Sequence, residues 1–147
     1  MTRSMIALVA AALLAACPAG GKGPAGSGSS AALPAKKLQL SWGISQEGDL
    51  SDIYLATTDE TGKQVSHQVG RYKGKCETFV PAKEMNALTG VSCVTGGGGT
   101  EIHAVHRADE IVIVQLGTTP GVAPDPMARE EVTRVKIPVG IAVEVAP

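Results

Sequence analysis

Residues 135–145 read Val-Lys-Ile-Pro-Val-Gly-Ile-Ala-Val-Glu-Val, and every odd-numbered position in that run is aliphatic. A period of two places all six aliphatic side chains on one face of an extended chain, whereas a helix would scatter them around its axis. Lys136, Pro138, Gly140 and Glu144 fall on the opposite face. Proline has no amide to give to a ladder, so Pro138 belongs at a sheet edge or bulge. The run therefore predicts one long strand, or two strands joined by a bend near Pro138.

The same period recurs upstream. Leu38, Leu40, Trp42 and Ile44 share one face of a first strand, and Ile53, Leu55 and Thr57 share one face of a second. Gln46-Glu47-Gly48-Asp49 reads as the turn between them. Asp59-Glu60-Thr61-Gly62 is a hairpin signal, since Asp bonds its own turn backbone and Gly supplies a positive φ. A third strand carries Val65, His67 and Val69 on one side. A short strand over Glu77–Val80 is followed by a helical turn within Pro81–Leu88 and by a strand with Val91 and Cys93 facing one way. Gly96–Gly99 form a bend, Thr100–Arg107 return, and Arg107-Ala108-Asp109-Glu110 turn again. Ile111-Val112-Ile113-Val114 is apolar on both faces, which predicts a central strand covered on both sides. Thr118–Ala128 is a proline-rich, exposed loop. With 18 glycines and 9 prolines to make turns, the pattern specifies an all-β fold. The expectation is a small antiparallel β-sandwich or barrel of about seven to nine strands.

The N-terminal composition is different. Arg3 precedes an apolar stretch from Met5 to Leu14, which has the make-up of a signal-peptide core and is shorter than the roughly 20 residues a spanning helix needs. The stretch ends in Leu14-Ala15-Ala16-Cys17. These four residues resemble the lipobox of bacterial lipoproteins. The resemblance implies that Cys17 is lipidated and becomes the first residue of the mature chain. Two or three acyl chains on Cys17 would give durable membrane attachment, because each buried methylene contributes about 0.8 kcal/mol. Pro18 stands where Asp commonly retains such lipoproteins at the inner membrane, so the resemblance favours the outer membrane, with the domain in the periplasm or at the cell surface. Residues 1–16 are then the signal peptide. Residues 17–36, dominated by Gly, Ser, Ala and Pro, form a flexible tether that cannot bury enough surface to order itself. About 19 such residues reach roughly 25 Å. Residues 37–147 form the folded domain.

Export places Cys76 and Cys93 in an oxidising compartment, where an even pair bridges. Closing a loop of that size stabilises by about 3 kcal/mol in the chain-entropy model. Their wide spacing is unlike a CxxC redox or metal motif.

Reactive constellations are absent from the sequence pattern. The chain has 13 Lys and Arg against 14 Asp and Glu, for a formal net charge of −1. That balance argues against nucleic acid, which needs a clustered positive face. Trp42, Tyr54, Tyr72 and Phe79 are the only aromatic rings, too few for a stacking platform beside a core. The histidines are His67, His103 and His106; the last two lie three apart on a strand and so point to opposite faces. His67, between Val65 and Val69, reads as partly buried. No GxSxG elbow marks a nucleophile, and Glu101, Asp109 and Glu110 sit beside turns. Gly96–Gly99 is followed by strand-like residues and no lysine, unlike a phosphate loop. No catalytic residue, metal ligand or cofactor is expected. The reading is a membrane-anchored, non-catalytic envelope lipoprotein that binds an envelope protein or cell-wall polymer. Its contact surface would be a free sheet edge near Pro138 or the loops Pro81–Leu88 and Thr118–Ala128. The alternatives are a periplasmic inhibitor of a wall hydrolase, since the chain resembles some small, lipid-anchored, disulfide-bonded bacterial lysozyme inhibitors in size and architecture, and a periplasmic metal-binding protein.

Overall fold

A computed structural model describes residues 36–147. The expected signal peptide, the lipidated Cys17 and all of the tether but Lys36 lie outside the described residues. Nine strands are present among the described residues: β1 Lys37–Glu47, β2 Leu50–Asp59, β3 Gln64–Lys73, β4 Lys75–Phe79, β5 Thr89–Thr95, β6 Gly98–Arg107, β7 Glu110–Thr118, β8 Glu130–Lys136 and β9 Ala142–Val145. They form two sheets, with strand orders β3-β2-β1-β9 and β4-β5-β6-β7-β8. The architecture is a β-sandwich.

Each sheet is built mostly from sequence neighbours joined by short turns. Gly48 and Asp49 alone connect β1 to β2, whose closing pair is Glu47 and Leu50. Between β2 and β3 the Asp59 carboxylate accepts from the Thr61 amide at 2.9 Å, the Thr61 hydroxyl at 2.6 Å and the Lys63 amide at 3.0 Å. This is the self-bonding turn that Asp followed by Gly announces. Gly74 carries the chain from the first sheet to the second at φ +99°, and a Cβ there would lie 2.1 Å from the Val94 carbonyl oxygen. Only glycine fits that crossing.

The run 135–145 resolves into two strands, and they belong to different sheets. β8 pairs antiparallel with β7, while β9 pairs parallel with β1. Pro138 lies in the crossover between them, where no ladder needs its amide. The side chains follow the split. Val135 and Ile137 are buried, Ile141 and Val143 pack against the same core, and Val139 at the bend is 88% exposed. One pair of the sandwich is thus parallel, because a chain arriving from the far sheet enters beside β1 in β1's own direction.

The core is the set of facing side chains that alternation selects: Leu40, Ile53 and Leu55 from the first sheet meet Val91, Cys93, Ile102, Ile111 and Ile113 from the second. Two register slips adjust it. In β3 the pairing passes from Gly70 to Gln68 and leaves Val69 unopposed; such a bulge reverses the parity that follows. Val69 and Tyr72 both turn inward as a result. In β8 the pairing skips Val132, which also packs on the core. Two polar bonds tie the sheets together: the Tyr72 hydroxyl donates to Gln115 Oε1 at 3.0 Å, and Trp42 Nε1 donates to Thr89 Oγ1 at 3.2 Å.

Cys76 and Cys93 face each other directly in the β4–β5 ladder and form a disulfide. β7 is covered on both faces. Ile111 and Ile113 enter the main core, while Val112 and Val114 join Val105 in a second cluster against Ala87. Ala87 belongs to a strap over residues 80–88 that contains the short 3-10 turn Lys83–Met85.

Candidate functional site

Two places on the domain concentrate unusual features: an open strand edge and a buried histidine. The edge follows from the length mismatch between β1 and β9. β1 is 11 residues long and β9 is 4, pairing only with Lys37–Leu40. Ala142 N donates to Lys36 O, and Ala146 N donates to Leu40 O, so the even-numbered residues of β1 aim their amides and carbonyls toward β9. Alternation continues that direction to Trp42, Ile44 and Gln46, which have no strand on that side among the described residues. The odd-numbered residues face β2, consistent with a two-residue hairpin closed by Glu47 and Leu50.

Beside this edge lies a groove of about 440 Å³, with Trp42 and Thr89 on one wall and Phe79, Val80, Val145 and Pro147 among its other lining residues. None of the side chains lining it is charged. Val80 is 88% exposed, so the groove presents apolar surface to solvent. A second groove of about 420 Å³, near the crossover at Pro138, is lined by Lys36, Lys37, Lys63, Asp59 and Glu60. Two of its lysines are paired: Lys36 Nζ is 3.9 Å from Glu60 within the lining, and Lys37 Nζ is 2.7 Å from Glu144 outside it.

The buried histidine is on the outer face of the second sheet. Phe79, Gly90, His103 and Val114 occupy one transverse row across β4, β5, β6 and β7. Gly90 has no side chain, and the Phe79 ring crosses above it to meet His103 edge-on, with centroids 5.5 Å apart. His103 is fully buried. Its Nε2 lies 2.9 Å from Glu101 Oε2. An ionised carboxylate only accepts, so Nε2 carries the proton. Nδ1 is buried without a hydrogen-bond partner among the described residues, and so is Nε of Arg129, whose Nη2 lies 3.7 Å from Met85 Sδ. Burial pushes the His103 imidazole below its ordinary pKa; the Glu101 carboxylate opposes that shift and the Arg129 charge adds to it.

The structure separates the three histidines. His67 is half-buried on the outermost strand of the first sheet, His103 is sealed in the second, and His106 is exposed with Nε2 3.1 Å from the Ala108 carbonyl. Among the described residues no group of three or more His, Cys, Asp or Glu side chains is placed to hold a metal. Of the expected contact surfaces, the Thr118–Ala128 loop is largely exposed, while the Pro81–Leu88 strap is pinned by Pro81 and Met85. The open edge is on β1, which no sequence signal indicates, since pairing partners are set by topology. Neither a family model, nor a curated protein, nor a solved structure matches this chain.

Proposed function

We propose that this chain is a lipid-anchored envelope protein whose sandwich binds an extended segment of another envelope protein along the open edge of β1. The observation that carries the reading is the row of main-chain groups on Trp42, Ile44 and Gln46 beside an uncharged groove. Strand addition takes its affinity from such main-chain groups and its selectivity from adjacent side-chain pockets. The uncharged lining selects a segment with neutral, apolar residues at alternate positions. Attachment through Cys17 rests on Leu14-Ala15-Ala16-Cys17 and keeps the domain within reach of proteins of the same membrane.

A photo-crosslinking amino acid at Ser45 or at Ile44, in protein expressed in its native envelope, tests the binding reading. An adduct with one envelope polypeptide is expected, in which the amides of Trp42, Ile44 and Gln46 gain exchange protection; Gln46→Pro is expected to abolish the adduct. Adducts of twice the chain's own mass, adducts with glycan alone, or protein adducts indifferent to Gln46→Pro would overturn it. Mass spectrometry of the natural protein tests the anchor: an acylated Cys17 at the N-terminus is expected, and an unmodified cysteine behind an intact leader refutes it.

A further inference from the structure

We propose that Glu101, His103 and Arg129 form a pH-dependent clasp that holds the 80–88 strap against the outer face of the second sheet. The geometry has three parts. First, His103 is entirely enclosed and keeps a single polar bond, from Nε2 to Glu101. Second, the two buried side-chain atoms without partners among the described residues are of complementary kind. Nδ1 of a neutral His103 is an acceptor, and Nε–H of Arg129 is a donor. Third, Arg129 reaches the strap through Met85, the strap's buried anchor, 5% exposed. The strap is otherwise held by Ala87 on Val105, Val112 and Val114 and by the Leu88 amide donating to Ala104 O at 2.8 Å. Asn86, at φ 47°, lies in the left-handed region between Met85 and Ala87, the kind of position where a short segment swings.

Neutral His103 suits this arrangement, donating to Glu101 and presenting a lone pair in the region of the Arg129 charge. Protonation replaces that lone pair with a second donor and puts a buried positive charge near another. Both changes are relieved when the strap lifts and water reaches the ring. The charges acting on the imidazole are Glu101 from its own strand and Arg129 from the segment before β8; Phe79, Gly90 and Val114, in the same transverse row, bring none. A folded-state value below 6.5 sets the window. The neutral form's contribution is complete above about 6.5 and is lost as pH falls below it toward the folded value, because the opened state binds the proton more tightly. Between those two values the opening equilibrium gains about tenfold per pH unit.

Hydrogen exchange of the amides of residues 82–88 from pH 4.5 to 7.5, corrected for intrinsic exchange, tests the clasp. The wild-type protein is expected to lose about tenfold in strap protection per pH unit within the window. His103→Gln is expected to give a pH-independent strap, and His67→Gln and His106→Gln to behave as wild type. Should His103→Gln not fold, the imidazole resonance of His103 in the unaltered chain decides, since strap amide shifts must then follow its titration. A wild-type strap whose protection does not change with pH, a dependence that survives His103→Gln, or strap shifts uncoupled from the His103 titration would each overturn the proposal.

Discussion

Opening the Cys76–Cys93 disulfide is expected to destabilise the domain by about 3 kcal/mol, and the structure says where the loss appears first. The bond closes a loop with a sequence separation of 17, and chain entropy for that length gives about 3 kcal/mol at 25 °C. Both sulfurs are buried, so replacing each cysteine with alanine adds a smaller packing loss, about 1 kcal/mol in all. A domain of this size shifts its Tm by about 4 °C per kcal/mol, so reduction should lower Tm by roughly 12 °C. β4 is an outermost strand of five residues paired only to β5. Its amides and those of the strap beyond it should lose exchange protection before β5–β8 do. Urea melts with and without reductant give the magnitude, and a steeper m-value is expected for the reduced protein because its denatured chain is less compact. Reduced and oxidised midpoints within about 1 kcal/mol of each other, with β4 still protected, would refute the loop-closure reasoning.

Three further outcomes follow from the same geometry. Gln46→Pro removes an amide that faces the open edge and is expected to cost about 1 kcal/mol or less, whereas Ser45→Pro removes a ladder amide opposite Asp52 and should cost about 3 kcal/mol; equal costs in urea melts would mean the open edge is misassigned. Gly90→Ala sets a Cβ 2.7 Å from Phe79 Cε1 and is expected to lose about 1–3 kcal/mol by overpacking. Phe79→Ala in the same chain should recover part of that loss, and strict additivity in the double-mutant cycle would contradict the contact. The Thr61 hydroxyl bond, with the turn amides, holds the Asp59 carboxyl below its ordinary 3.8. The Asp59–Lys63 turn should therefore contribute stability above that value and lose it as pH falls through the folded one; a carbon-detected titration of Asp59 at or above 3.8 would contradict this.

Alternation made most of the sandwich legible. Leu40, Ile53, Leu55, Ile111 and Ile113 lie where a period of two puts them, and the doubly apolar run 111–114 is covered on both faces. Asp59 with Gly62, and the paired cysteines, likewise act through local chemistry that the residues themselves announce. Assignment of strands to sheets was not legible. The unbroken period of residues 135–145 hides a change of sheet, because the side-chain period is identical on either side of a crossover. Tyr72 enters the core only through the bulge at Val69, and a one-residue slip leaves no mark in composition. His103 is the sharpest case. As a residue between Ile102 and Ala104 it predicted nothing about depth. It is buried because Gly90 clears a path for Phe79 and because the strap returns over that face, both of them long-range facts.

The edges of the two sheets argue together for the role of β1. An unpaired strand edge is a template for association, and proteins blunt such edges with charge, bulges or shortness. β4 carries Lys75 and Glu77 within five residues. β8 carries Glu130, Glu131, Arg134 and Lys136 and is bulged at Val132. β3 is bulged at Val69 and ends in Arg71 and Lys73, and β9 is four residues long with Glu144. The open stretch of β1, Ser-Trp-Gly-Ile-Ser-Gln over residues 41–46, has none of these protections before Glu47. A lysine at Ile44 would have guarded it. Among the described residues, a domain that blunts its other edges and leaves this one open beside a groove of uncharged side chains presents a template for strand addition there.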